Sequence, residues 1–155
     1  MSEFESAFLC GLLKKFKPKK ILEVGVAAGG TTAIILNALE KNAQPYVMKS
    51  IDISRTVWND SSKPVGYLAT SMKKILQVGT HDFYIETTLP FVLDEIGGDI
   101  DFVILDTAHV LPGENLDFLV ALPYLKENAV ICMHDVSECQ ILTKSIRPTL
   151  SHNPY

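Results

Sequence analysis

Two groups of residues in this chain have the types and spacing to do chemistry. The first is Glu23-Val24-Gly25-Val26-Ala27-Ala28-Gly29-Gly30, followed by Asp52, 23 residues after Gly29. Glycines let a backbone turn tightly and come close to a ligand. A carboxylate at the distance of Asp52 can accept hydrogen bonds from two ribose hydroxyls. Together they indicate a nucleoside-containing cofactor, whereas a glycine turn alone is a common strand–helix connection. The second group is Asp106, His109 three residues later, and the pair His134-Asp135. Two carboxylates with a histidine suit a divalent cation: oxygen ligands favour Mg²⁺ or Mn²⁺, and histidine leans toward Mn²⁺ or a heavier ion. Such an ion lowers the pKa of a bound hydroxyl, and a histidine then takes the proton as general base. The expected metal ligands are Asp106, His134 and Asp135, and the expected catalytic residues are His109 and Asp106. Plainer uses stay open: Asp106 as a loop or capping residue, His134-Asp135 as a cap, or Asp135 as the group that orients His134.

These residues need a scaffold, and the hydrophobic pattern supplies one. Phe4, Phe8, Leu12 and Phe16 recur every four residues, with Leu9 and Leu13 beside them, one apolar face of a helix that Lys17-Pro18 ends. Short apolar runs at 21–24, 46–51, 83–85, 100–105 and 129–133 predict strands. Between them lie helical patterns from Thr31 or Thr32 as cap, with Ile34, Ile35, Ala38 and Leu39 as core face, and at 67–76, 89–96 and 112–125. Residues 54–63 are polar and read as a loop, in which Trp58, Asp60 and Lys63, with Tyr67 beyond it, are open to a substrate-contacting or a surface role. Strands alternating with helices predict an α/β fold: a doubly wound, mainly parallel, Rossmann-like sheet with helices on both faces. Ligands of such sheets sit at the carboxyl ends of the strands, where Gly25, Asp52, Asp106 and His134 all fall.

The type of nucleoside follows from the loop. Dinucleotide sites need a glycine where Ala27 stands, so that a pyrophosphate can approach. The pattern Glu23-x-Gly25-x-x-x-Gly29 resembles instead the first motif of class I S-adenosylmethionine (SAM)-dependent methyltransferases. The resemblance covers roughly residues 21–135. It implies that Glu23 lies near the methionine end of the cofactor, that Gly25 and Gly29 form its loop, that Asp52 holds the ribose, and that Glu86 stands near the adenine. Asp106, His109 and Asp135 are similar to positions of metal-dependent O-methyltransferases acting on catechols and sugars. His134 departs from them, standing where that family has an acidic residue. The implied activity is methyl transfer to a hydroxyl of a small molecule, a sugar among the candidates. The family's sheet ends with two further strands, and the 20 residues after Asp135 hold one short apolar run, 141–146, so those strands are expected to be missing. An open strand edge would then invite a homo-oligomer.

Composition narrows the rest. The chain has 155 residues, enough for one domain, and is 47% hydrophobic, enough for a substantial core. A net charge of −4 gives no general attraction to nucleic acid or to an anionic membrane. The basic run Lys14 to Lys20 is broken by Pro18 and reads as a solvated helix end. Three cysteines without metal-type spacing suit a reducing, cytoplasmic setting. No apolar run is long enough to span a bilayer, and the first residues lack the basic start of a signal peptide. Two other functions compete: a catalytically inactive binding module on the same fold, and a nicotinamide-dependent oxidoreductase.

Overall fold

The computed structural model describes residues 1–107 and 112–134. Helix α1 (Glu3–Phe16) precedes β1 (Lys20–Val24), α2 (Gly30–Lys41) and β2 (Tyr46–Asp52). A hairpin of β3 (Thr56–Val57) and β4 (Asp60–Pro64) follows, then β5 (Gly79–Ile85), α3 (Leu89–Ile96), β6 (Ile100–Leu105), α4 (Gly113–Ala121) and β7 (Leu125–Met133). Five strands form one sheet in the order β5-β2-β1-β6-β7, every neighbour pair parallel. The chain order reverses between β1 and β6, which opens a crevice at their carboxyl ends.

Helices cover both faces. Leu9 and Leu13 of α1 and Ile35, Leu36 and Leu39 of α2 pack on Ile21, Met48, Phe102 and Ile104. On the other face α3 brings Leu89, Val92, Leu93 and Ile96 onto Leu22, Val24, Ile51, Val103 and Leu105. Strands buried on both sides need the continuous apolar runs seen in the sequence. Asp101 accepts from the Lys19 and Lys20 backbone N–H groups at the start of β1 (2.9–3.1 Å). The Lys20 ammonium donates to the carbonyls of Ile96, Gly97 and Gly98 at the end of α3. One member of the basic run is therefore a structural clamp that satisfies orphan carbonyls.

The α/β class, the parallel sheet and its five strands agree with the sequence reading, with earlier starts for β5 and β7. Several details differ. The face of α1 that meets the core is Leu9 and Leu13; Phe4, Phe8 and Phe16 are 81%, 60% and 48% exposed. Of the expected apolar face, the leucines beside the phenylalanines meet the sheet, with Leu12 partly buried against them. Neither Thr31 nor Thr32 caps α2. Its N-cap is Gly29, left-handed at φ 85°, and Thr32 is buried inside the first turn. Residues 56–64 hold a hairpin instead of a loop. No α-helix covers 67–76; turns and one short 3₁₀ segment (Met72–Lys74) do. The backbone there bonds to the glycine loop, Gly66 N–H to Ala27 C=O (2.9 Å) and Leu68 N–H to Ala28 C=O (3.0 Å). Helix α4 ends at Ala121 because Pro123 lies just beyond, and β7 begins earlier than expected. Among the described residues the sheet ends at β7, and no helix is long and apolar enough to cross a membrane. The run 141–146 and the question of further strands lie outside the described residues.

Candidate active site

The glycine loop is built by close packing. Gly25 sits at φ 93°, and a Cβ there would stand 1.8 Å from the Asp106 carbonyl oxygen. Only glycine fits, because β1 and β6 meet backbone to backbone at that point. A Cβ on Gly29 (φ 85°) would lie 2.8 Å from Cα of Gly66, so the segment after the hairpin presses on the loop from outside. Asp52 closes the loop from β2. Its Oδ2 accepts from the N–H groups of Val26 (3.0 Å) and Ala27 (2.9 Å), and its Oδ1 from Ser54 N–H (2.8 Å). Each carboxylate oxygen has two lone pairs, so Oδ1 keeps acceptor capacity toward a ligand.

A cavity of about 870 Å³ opens at this end of the sheet. That is the size of a site for a nucleoside cofactor plus part of a substrate. Gly25 to Ala28, Gly30, Ile34 and Asp52 to Ser54 form one side, with Thr87, Thr88 and Leu89. Asp106, Thr107, Gly113, Asp117, His134 and Met1 line the other. Trp58, 83% exposed on the turn of the hairpin, also borders the cavity.

Not every expected residue faces this space. Gly25, Asp52, Asp106 and His134 do. Gly29 supports the loop without lining it. Glu86 is left-handed (φ 61°) and exposed, and its neighbours Thr87 and Thr88 point inward in its place. Glu23 is completely buried behind the loop and outside the cavity lining. Its Oε2 accepts from Thr32 Oγ1 (2.8 Å) and Ser50 Oγ (2.6 Å). Burial raises its pKa from the ordinary 4.5 to about 7, against the two hydroxyl donors; the nearby carboxylates Asp106 and Asp52 push the same way.

Asp106 and His134 are brought together, with Nδ1 of His134 3.3 Å from Oδ1 of Asp106. The other ring nitrogen, Nε2, lies 3.4 Å from Oε1 of Glu5 in α1. Glu5 is also half of a capping box with Ser2, and the Ser2 bonds hold its carboxyl below the ordinary range. Both imidazole nitrogens thus face carboxylates. Among the described residues no group of three His, Cys, Asp or Glu could hold a metal ion, and Asp106 and His134 are the only described members of the expected metal set. His109 and Asp135 lie outside the described residues.

Glu5, Met1, Ile34 and Asp117 are site residues that motif reading missed, whereas Trp58, left open between substrate contact and surface, borders the cavity. Burial raises the Asp117 carboxyl, with Glu114 adding to the shift. A weak signal existed for Glu5: Ser2-x-x-Glu5 has capping-box spacing. The buried polar pair Thr32 and Ser50 could have been suspected from a hydroxyl on a helix core face and another inside an apolar strand.

Comparison with known proteins agrees with this geometry. No curated protein matches the chain. Among solved structures, the O-methyltransferase TomG from Streptomyces achromogenes, in complex with SAM, has a TM-score of 0.69 at 17% identity, covering 99% of this chain and 70% of its own. The SAH-bound methyltransferase PaMTH1 from Podospora anserina has a TM-score of 0.68 at 14% identity, with coverage of 96% and 63%. An O-methyltransferase from Bacillus cereus, in complex with SAH, has a TM-score of 0.63 at 17% identity, with coverage of 84% and 56%. The chain therefore spans 56–70% of the length of these neighbours, and at such identities the likeness shows the fold. The family described as Methyltransferase domain matches residues 22–136, most of the sequence, from β1 through the last described strand. This chain belongs to that methyltransferase-domain family.

Proposed function

We propose that the chain binds SAM in the cavity at the carboxyl ends of β1, β2 and β6 and transfers its methyl group to a hydroxyl of a small molecule. The observation that carries this reading is the meeting, in one cavity, of Asp52 with the glycine loop on one side and the Asp106–His134 pair on the other. The donor set fits the cofactor. Asp52 Oδ1 accepts from the ribose hydroxyls, and Gly25 allows the backbone to come close. Ile34, Ile53 and Leu89 supply apolar walls, with Thr87 and Thr88 at the adenine side; Glu86, expected there, is exposed beside them. When bound, the cofactor supplies an electrophilic methyl group on a sulfonium. The protein's part is to hold a hydroxyl in line with that methyl and to receive its proton. Asp106 and His134, paired at the other side of the cavity, are the groups that orient the hydroxyl and take its proton. His109 belongs to the proposal through its place in Asp106-Thr107-Ala108-His109 alone. A sugar is one acceptor with suitable hydroxyls.

Calorimetric titration with SAM, SAH and NAD tests the reading, with and without Mg²⁺ or Mn²⁺. Trp58 is the only tryptophan and borders the cavity, so its fluorescence reports binding independently. Binding of both sulfur nucleosides, lost in Asp52→Ala, with none of NAD, is the expected result. Binding of NAD in place of either would overturn the cofactor assignment.

A further inference from the structure

The proposed chemistry leaves one buried titratable cluster unused. Glu23 of β1 is bonded to Ser50 of β2, and Ser50 Oγ lies 2.9 Å from Nε2 of His81 in β5. His81 is itself buried, 5% exposed. The three side chains cross three adjacent strands on the sheet face covered by α2. With Glu23 ionised, Ser50 donates to it and accepts from the His81 ring at Nε2; with Glu23 protonated, both contacts run the other way, Glu23 donating to Ser50 and Ser50 to Nε2. Glu23 Oε1 is buried with no hydrogen-bond partner among the described residues. A lone carboxylate so placed would be costly, so the cluster is stable as a neutral acid beside neutral histidine, or as a carboxylate one hydroxyl away from imidazolium.

The cluster touches the glycine loop by two routes. Thr32 ties Glu23 to the first turn of α2, directly after the loop. His81 packs edge-on against Phe83, with ring centroids 4.4 Å apart. Phe83 lies under Gly66, where a Cβ would stand 2.6 Å from its ring, and Gly66 presses on Gly29. Among the described residues, the charges near it are these. Asp52 ends β2 and Asp106 follows β6, and both act on Glu23. Lys49 and Asp82 pair with each other at 2.6 Å beside Tyr84, on the opposite face. From α1, Glu5 turns to His134.

We propose that Glu23, Ser50 and His81 form a proton-sharing positioning chain behind the glycine loop, and that its charge sets the preference of the cavity for the cationic methyl donor over the neutral thioether product. This inference rests on the cofactor assignment above. With one proton in the chain its net charge is zero. When that proton leaves, a negative charge appears beneath the loop and favours the sulfonium of SAM over SAH. The amino and carboxylate groups are common to both ligands, so the ratio of their affinities isolates the sulfonium.

The test is the ratio of SAH to SAM dissociation constants, measured on the full chain from about pH 6 to about pH 8. The ratio is expected to rise about three- to tenfold with pH. It stays flat in Glu23→Gln, whose amide oxygen still accepts from Thr32 and Ser50. The midpoint shifts in His81→Gln, which keeps a donor toward Ser50 but does not titrate. A flat ratio in the wild type, or the same rise in Glu23→Gln, overturns the inference while leaving the cofactor assignment standing. Failure of both nucleosides to bind at any pH overturns the two together. Should Glu23→Gln not fold, an unmoved midpoint in His81→Gln overturns the inference by itself.

Discussion

The two sides of the cavity are built in different ways. The side formed by β1, β2 and the loop between β1 and α2 is held by backbone. Gly25 N–H donates to Ile51 C=O, Asp106 N–H to Val24 C=O, and Asp52 takes two N–H groups of the loop itself. Gly25 and Asp52, which carry it, lie 27 positions apart. The opposite side is held by side chains from distant parts of the chain: Glu5 from α1, Asp106 after β6, Asp117 from α4 and His134 after β7. Local backbone geometry makes a site that tolerates little change, whereas converging side chains make one that can vary without loss of the fold. The proposed reading, a methyl donor on the first side and a hydroxyl acceptor on the second, uses that division.

The sharpest way to break the contrast is to add one methyl group to each side. Gly25→Ala must place a Cβ into the Asp106 carbonyl at positive φ, and is expected to cost about 3–4 kcal/mol and abolish SAM binding. Gly113→Ala meets nothing within 4 Å among the described residues and is expected to change stability by no more than about 0.5–1 kcal/mol, in the stabilising direction. Urea unfolding of the two variants decides. Equal losses would show that the two sides are equally rigid.

Acidity tests the same side from behind. The pKa of Glu23 is raised from 4.5 to about 7, so in that window the folded chain binds more protons than the unfolded one. Stability is therefore highest below about pH 4.5 as far as this group is concerned, and falls by an amount on the order of 3 kcal/mol as pH rises to about 7. Urea midpoints across this range should fall in the wild type and lose this component in Glu23→Gln.

Asp52→Ala strands three backbone N–H groups beside the cavity and is expected to cost about 1–3 kcal/mol of stability and at least tenfold in SAM affinity, read by thermal unfolding and calorimetry. On the acceptor side, Glu5→Ala removes a cap and one neighbour of His134. An expected loss of about 0.5–1 kcal/mol, with SAM affinity unchanged and turnover reduced, would sharpen the comparison; a matching loss of SAM affinity would blur it. Trp58→Phe is expected to be the mildest, within about 0.5 kcal/mol, because the indole is mostly solvated.

Much of this was legible in the residues alone. Continuous apolar strands alternating with helical patterns specify a parallel, doubly wound sheet, because backbone polar groups and side chains on both faces must be buried together. Glycine and aspartate at Gly25, Gly29 and Asp52 carry their meaning locally: positive φ, close approach and a carboxylate at a strand end. Other features depend on which surfaces meet in space. Leu9 and Leu13, and not the phenylalanine stripe, became the buried face of α1 once the helix docked. The segment after the hairpin gave up helix to bond with Ala27 and Ala28. Glu23, apparently a ligand-side acid, was drawn behind the loop by Thr32 and Ser50. His134 acquired Glu5 from the far end of the chain. Periodicity and motif spacing report what each segment can do by itself. Which neighbour satisfies a buried carboxylate or imidazole is decided by contacts between segments far apart in sequence, and only the folded structure carries that information.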